Sequence, residues 1–168
     1  MFILINAGKY GTIILYNIGY DCLSVNKKGK FMNLLYLLRP KESVAYIQSN
    51  VTVRQGLEKM RAHGYSAIPV ISPEGKYIGT VSEGDFLWAV VERGGSSLKA
   101  LEKLSLSEIL REKRDKAVTV GAKMDELLLL IMEQNFVPVT DDRGVFIGIV
   151  TRRDILKYYY KKEKNADE

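Results

Sequence analysis

Two short motifs in the sequence place a hydroxyl and a carboxylate at the same spacing. Ser82 and Asp85 form the first pair, and Thr151 and Asp154 form the second. An aspartate can accept hydrogen bonds from two neighbouring ribose hydroxyls, and a Ser or Thr hydroxyl can reach a sugar or phosphate oxygen. The same spacing is also typical of a helix cap, in which the hydroxyl accepts a hydrogen bond from a backbone N–H of the first turn. The motifs alone therefore leave a ligand site and a plain helix cap open.

The elements that must position these motifs come from an internal repeat, with one copy over residues 45–91 and the other over residues 117–160. Each copy predicts the element order β-α-β-β-α. A unit of about 45 residues is too small to bury a good core alone, so the two are expected to pack together in an α+β (α/β) fold. In both copies a proline, a glycine and the motif aspartate are separated by ten and then six residues: Pro69, Gly79 and Asp85, and Pro138, Gly148 and Asp154.

Local signals give the bounds of these elements. The proline in each first strand favours an edge position, because proline cannot donate to a neighbouring strand. Between the units, Ser105 and Glu108 are spaced to cap a helix, and the charged run 111–116 is most simply a solvated loop. The first strands are predicted at 67–71 and 136–140, the second strands at 77–81 and 145–150, the last helices at 83–92 and 152–161, and a linker helix at 98–104.

Residues 1–31 differ in character from the repeats. Residues 2–5 and 12–16 fit two short strands. A secretory signal is a poor match, because no positive charge precedes the first apolar run and Lys9 interrupts it. We expect the functional protein to begin near Met32, with the preceding residues as an upstream extension.

The composition indicates a reduced, cytoplasmic binding protein rather than an enzyme. A single cysteine, Cys22, excludes an internal disulfide framework and a cysteine cluster for zinc, and a single histidine, His63, leaves little material for metal sites or histidine catalysis. The 25 basic and 20 acidic residues give a net charge of +5, of which +3 lies in residues 1–31, so the repeats lack the basic surplus of a nucleic-acid-binding protein. No apolar stretch is long enough to predict a membrane span.

With both copies in view, the sequence resembles a tandem cystathionine-β-synthase (CBS) domain protein, also called a Bateman module. The resemblance rests on the segments 67–85 and 136–154 and covers about residues 39–161. It implies two β-α-β-β-α CBS repeats packed with pseudo-two-fold symmetry, with clefts between two small sheets. The expected organisation is an N-terminal extension at 1–31, repeat 1 with a leading helix at 32–92, a linker with helices at 93–116, repeat 2 at 117–161 and a polar tail at 162–168.

The resemblance also implies an adenine-based ligand, such as AMP, ADP, ATP, S-adenosylmethionine or cyclic di-AMP, with no cofactor required and no metal site. Carried over to this sequence, Ser82 with Asp85 and Thr151 with Asp154 are expected to contact ribose or phosphate. The base is expected to lie against apolar residues near the strands, for which the candidates are Tyr46, Ile47, Ala67, Ile68, Pro69, Val118, Val137 and Pro138.

The two sites are expected to differ in strength. Arg152 and Arg153 stand inside the second motif and can neutralise a phosphate, whereas Glu83 and Gly84 occupy the matching places in the first. A glutamate repels a phosphate at short range, so we expect the Asp154 half to bind nucleotide better than the other half.

Two functions are compatible with these observations. The first is a non-catalytic regulatory module that binds an adenine nucleotide, forms a homodimer and signals in trans to an unknown effector protein, with no nucleic acid or membrane as partner. The alternative is a structural or dimerisation protein whose ligand sites have lapsed. An enzyme is disfavoured, because neither motif has a histidine or cysteine and no residues have metal-ligand spacing.

Overall fold

The computed structural model of the chain divides into two repeats and a separate hairpin. The hairpin pairs β1 (Ile3–Ala7) with β2 (Thr12–Tyr16) in antiparallel register, close to the predicted strands. The rest of the predicted extension, part of the predicted linker helix and the end of the polar tail lie outside the described residues. The structure describes residues 3–7, 12–16, 33–92, 101–111 and 115–164.

The first repeat is a three-stranded sheet with two helices. β5 pairs in parallel with β4 and antiparallel with β6. The first helix begins at a capping box in which Thr52 and Gln55 satisfy each other's backbone N–H groups, and it ends at Gly64 with φ 64°. The elements are β4 (Ile47–Gln48), α1 (Val53–His63), β5 (Ala67–Ile71), β6 (Tyr77–Ser82) and α2 (Glu83–Glu92).

The second repeat has the same order and one added strand. β8 pairs in parallel with β7 and antiparallel with β9, and β3 (Arg39–Pro40) adds to the free edge of β9. The order β-α-β-β-α predicted for both repeats is therefore confirmed. The elements are β7 (Val118–Thr119), α3 (Met124–Glu133), β8 (Phe136–Thr140), β9 (Phe146–Thr151) and α4 (Arg152–Lys164).

The edge position predicted for the two proline-containing strands is wrong. β5 lies between β4 and β6, and β8 lies between β7 and β9. The neighbouring strand is short in each case, and its pairing begins one residue after the proline, at Val70 and at Val139. Pro69 and Pro138 therefore sit in central strands at positions where the two-residue neighbour does not pair.

The segments that precede the repeats, which we call leaders, are exchanged between them. The first leader, residues 33–44, contributes Leu34, Leu37 and Leu38 to the core of the second repeat. The second leader, residues 101–111, contributes Leu101, Leu104 and Leu106 to the core of the first repeat. Each leader contains a short 3-10 helix, Leu34–Tyr36 or Leu106–Glu108, and Ser105 and Glu108 form the predicted capping box. Each hydrophobic core is thus completed by the segment that leads into the other repeat.

The two sheets meet through their hairpin turns. Tyr77 N–H donates to the Gly144 carbonyl at 3.1 Å, and Phe146 N–H donates to the Gly75 carbonyl at 2.9 Å. The rings of Tyr77 and Phe146 also stack, with centroids 6.3 Å apart. These residues occupy equivalent places in the two repeats, so the contacts lie on the pseudo-two-fold axis.

No helix within the described part of the chain is long and apolar enough to cross a membrane.

Candidate functional site

Both motif aspartates bind back to their own helix caps. The Ser82 backbone N–H and hydroxyl donate to Asp85 Oδ2 at 2.8 and 2.7 Å. The Thr151 hydroxyl donates to Asp154 Oδ2 at 2.6 Å and accepts from the Asp154 N–H at 3.2 Å. The predicted cap, a hydroxyl that accepts from a first-turn N–H, is confirmed for Thr151, and in the first motif the Asp85 carboxylate accepts from the Ser82 N–H. These bonds orient both carboxylates at the starts of α2 and α4.

The Asp154 carboxylate also pairs with an arginine from the first leader. Arg39 Nε donates to Asp154 Oδ2 at 2.7 Å, and Arg39 Nη2 donates to Oδ1 at 3.0 Å. The pair is bidentate, which is the strongest geometry for an arginine and a carboxylate. The Arg39 side chain is 51% exposed and the Asp154 side chain 21% exposed. Both members of this pair are therefore reachable from solvent.

An equivalent arginine approaches the first motif. Arg111 Nε lies 2.8 Å from Asp85 Oδ1, and the two residues belong to the second leader and to α2. Arg111 follows Leu106 at the same distance in sequence as Arg39 follows Leu34. The Asp85 side chain is only 1% exposed. The charged run 111–116 was predicted as a solvated loop, and Arg111 is 57% exposed there while it also contacts the buried Asp85 carboxylate.

The difference in burial sets the cost of opening each pair. An exposed ion pair contributes about 0–1 kcal/mol, so Asp154 can exchange Arg39 for another partner at little cost. Asp85 is 1% exposed and is enclosed by the Ser82 N–H, the Ser82 hydroxyl and Arg111, so a ligand can reach it only by displacing these groups. The geometry therefore favours the Asp154 half as the site that can accept a ligand.

An apolar cavity of about 220 Å³ lies between the repeats next to Thr151. One wall comes from the end of the first leader, at Ser43, Val44 and Ala45. The remaining walls come from the start of β5 and from the second sheet, at Arg39, Tyr65, Ser66, Ala67, Pro69, Asn135, Phe136 and Ile149. Its volume and largely apolar lining suit a small apolar group such as a nucleobase.

A second, cationic cavity of about 390 Å³ lies on the other side of the ion pair. Lys157 and Lys161 of α4 line it together with Asp154 and Arg39. The first leader supplies its opposite wall at Tyr36, Leu37 and Leu38, and Tyr158 completes it. Three basic side chains face one carboxylate here, so this cavity attracts an anion. Arg39 borders both cavities and stands where they meet.

The predicted base-contacting residues divide into two groups. Ala67 and Pro69 line the apolar cavity. Tyr46 instead packs edge-on against Phe146 and under the ammonium groups of Lys41 and Lys59. Four further candidates are at most 4% exposed inside the two cores, where they can pack behind the cavity wall but cannot touch a ligand: Ile47, Ile68, Val118 and Val137. Pro138 is buried in the central strand β8.

The basic residues of the second motif lie differently from the expectation. Arg152 Nη2 donates to the Gln134 carbonyl at 3.1 Å, which directs its side chain toward the end of α3. Arg153 is exposed on α4 and is absent from the lining of both described cavities. The cations that do line the cavity are Arg39, Lys157 and Lys161. The sequence signal for Arg39 was the matching position of Arg111 in the other leader.

Arg39 also fixes the charge state of the site. Its hydrogen bonds lower the pKa of Asp154 below the ordinary value, and the Thr151 hydroxyl and the charge of Lys157 act in the same direction. Partial burial opposes them by raising the pKa. Asp154 is therefore ionised at neutral pH and can accept hydrogen bonds from sugar hydroxyls.

The fold and the paired sites define a tandem repeat protein, and comparison with known families identifies its class. The family model described as "CBS domain" matches residues 38–92 and 105–161. The two matches cover more than half of the chain, so the chain belongs to the CBS-domain family. The resemblance noted from the sequence is confirmed, as is the fold class of two packed repeats.

Three relatives illustrate the range of the similarity. The crystal structure of CbpB from Listeria monocytogenes in complex with c-di-AMP is 26% identical with a TM-score of 0.69, covering 78% of this chain and 97% of that one. Cyclic di-AMP receptor B of Bacillus subtilis is 23% identical over 127 residues, which is 76% of this chain and 86% of that protein. An uncharacterized protein of Methanopyrus kandleri is 29% identical over 103 residues, which is 59% of this chain. The chain spans only 49% of that last relative's length.

Proposed function

We propose that this chain is a non-catalytic regulatory module that binds an adenine-based ligand beside Asp154 and reports its occupancy in trans to an effector protein. The observation that carries the proposal is that Arg39, the partner of Asp154, lines both an apolar cavity and a cationic cavity. A nucleotide has the same sequence of properties: a flat base, a sugar with hydroxyl groups and an anionic phosphate.

The proposed pose follows from these properties. The base lies in the apolar cavity against Val44, Ala45 and Pro69. The ribose hydroxyls donate to Asp154, beside Thr151. The phosphate lies in the cationic cavity near Lys157 and Lys161. The names of the relatives support this ligand class, because CbpB was solved with c-di-AMP and the Bacillus subtilis protein is a cyclic di-AMP receptor.

A thermal-shift panel of AMP, ADP, ATP, S-adenosylmethionine and c-di-AMP tests the proposal. A ligand at one hundred times its Kd stabilises the folded state by about 2.7 kcal/mol, which raises the unfolding midpoint measurably. We expect Asp154→Ala to abolish most of this shift and Asp85→Ala to reduce it less. A larger loss with Asp85→Ala would reverse the ranking of the two halves. If no member of the panel shifts the wild-type midpoint, the alternative of a structural protein with lapsed sites replaces the proposal.

We also propose that the module acts as a homodimer through its helices. Large apolar side chains are exposed on α2, α3 and α4, at Leu87, Trp88, Val91, Leu129, Met132, Leu156 and Tyr160. Apolar surface of this extent is typical of an interface. Sedimentation of the wild type and of Trp88→Glu tests this: we expect a dimer that the charged residue weakens, and a wild-type monomer would contradict the proposal.

A further inference from the structure

We propose that Arg39 makes the site selective for phosphorylated ligands by exchanging Asp154 for a ligand phosphate. The inference rests on the proposed function and adds to it the residue that discriminates a nucleotide from its nucleoside. Arg39 is suited to the role because it borders both cavities and holds the carboxylate that the ribose needs.

The exchange follows from the hydrogen bonds of the free protein. Arg39 uses Nε and Nη2 on the two oxygens of Asp154. A ribose that donates to these oxygens competes with Arg39 for them. The guanidinium then needs another anion within reach, since a cation that loses its partner beside Lys157 and Lys161 is repelled by both.

A phosphate supplies that anion and a nucleoside does not. The fork of a guanidinium matches two phosphate oxygens as well as it matches a carboxylate. A phosphorylated ligand therefore replaces the ion pair that it breaks, whereas an unphosphorylated one leaves Arg39 without a counter-ion. Selectivity arises here from a penalty on the wrong ligand as well as from attraction of the right one.

The backbone around Arg39 keeps the exchange local. Arg39 pairs with Ile149 in the β3–β9 ladder, and its carbonyl oxygen lies 2.1 Å from the point where a Cβ at Gly148 would stand. The backbone of Arg39 is therefore fixed against β9. Its side chain is half exposed, so the guanidinium can turn from the carboxylate to a phosphate without moving the strand.

Calorimetric titration of AMP and of adenosine into the wild type, Arg39→Gln and Arg39→Lys tests the inference. We expect the wild type to bind AMP about tenfold more tightly than adenosine. In Arg39→Gln, AMP is expected to bind about tenfold more weakly and adenosine about threefold more tightly, because Asp154 is released from its competitor. Arg39→Lys keeps the charge without the guanidinium fork, and its ratio of AMP to adenosine affinity is expected to lie between those of the wild type and Arg39→Gln.

Arg143→Gln is the matched control. Arg143 is 83% exposed and pairs with Asp141 in a turn, so its loss changes the net charge equally without touching either described cavity. Its ratio of AMP to adenosine affinity is expected to equal that of the wild type. Circular dichroism checks that each variant is folded.

Three results overturn the inference. The first is a wild-type ratio near one, and the second is no binding of either compound by the wild type. The third is an unchanged ratio in Arg39→Gln, with both ligands weakened equally, which would make Arg39 a purely structural residue. The proposed function fails separately, when no adenine compound of the thermal-shift panel binds the wild type.

Discussion

The two halves of the molecule repeat one arrangement with different accessibility. In each half a leader arginine pairs with the motif aspartate of the repeat that the leader packs against. Asp85 is enclosed at 1% exposure, whereas Asp154 is 21% exposed and borders a cavity. Pseudo-symmetry thus preserves the position of the motif aspartate but not its exposure to solvent. The exposed Asp154 is therefore the aspartate on which we base the proposed ligand site.

The surroundings of the two arginines differ as well. Arg39 lies in β3, which extends the sheet at Gly148. Arg111 follows the 3-10 helix of the second leader, and Leu110 lies against Gly79. A Cβ at Gly148 would stand 2.1 Å from a backbone oxygen, but a Cβ at Gly79 would meet a leucine methyl at 3.8 Å. The second repeat therefore holds its leader in closer backbone contact than the first.

Removing each arginine is expected to give the largest difference between the two halves, measured as the free energy of unfolding. Arg111→Gln removes a cation that lies 2.8 Å from the buried Asp85 carboxylate and is expected to lower the free energy of unfolding by about 1.5–3 kcal/mol. Arg39→Gln is expected to change it by at most about 1 kcal/mol. Urea unfolding of both variants measures the difference.

A double variant provides the control for this pair of substitutions. Asp85→Asn combined with Arg111→Gln removes both charges and is expected to recover part of the lost stability. Equal losses in the two single variants would show that burial does not separate the halves.

Gly148 and Gly79 test whether the two leaders differ in their contact with the backbone of the repeats. Gly148→Ala is expected to cost about 1–3 kcal/mol of stability, because the new methyl group collides with the Arg39 carbonyl and displaces β3. It is also expected to weaken ligand binding, since Arg39 moves with the strand. Gly79→Ala meets only ordinary contact and is the matched control. Thermal unfolding and titration of AMP measure both effects, and equal behaviour of the two variants would contradict this account of the leaders.

The smallest effect concerns the protonation of Asp154. Its pKa lies below the ordinary carboxyl value of about 3.9, so its ionisation stabilises the fold above that pH, and this contribution is lost as the pH falls through the lowered pKa. Arg39→Gln is expected to raise the pKa of Asp154, since the hydrogen bonds from Arg39 are the largest cause of the shift.

An NMR titration of the side-chain carboxyl carbons measures this change. Asp141 is the internal control, because its pKa is lowered chiefly by the backbone N–H of Val145, which Arg39 does not contact. A midpoint for Asp154 that is the same in the wild type and the variant would show that Arg39 does not set its charge.

The repeats could be predicted from the sequence because their signals are local. The strands 67–71 and 136–140 and the start of each final helix follow from spacings within about 20 residues. The central position of the proline-containing strands could not be predicted from the sequence. It depends on where the pairing of the short strands β4 and β7 begins. The candidates Ile68 and Val137 lie in central strands covered on both faces, which a residue's place in a strand does not reveal.

The residues that the sequence did not identify act over long distances. Arg39 and Asp154 are 115 positions apart, and their contact exists because the leaders are exchanged. The equivalent positions of Arg39 and Arg111 in the two leaders are visible in the sequence. The prediction nevertheless chose Arg152 and Arg153, because they are closer in sequence to Asp154. Proximity in sequence was a poor guide to which cation faces the cavity.

The crossing of the leaders also determines how the chain comes apart. Neither half has a complete interior of its own, so a fragment cut between the repeats would carry a gap where its neighbour's leucines insert. Unfolding of one half therefore removes core residues from the other, and we expect the two repeats to unfold in a single cooperative transition.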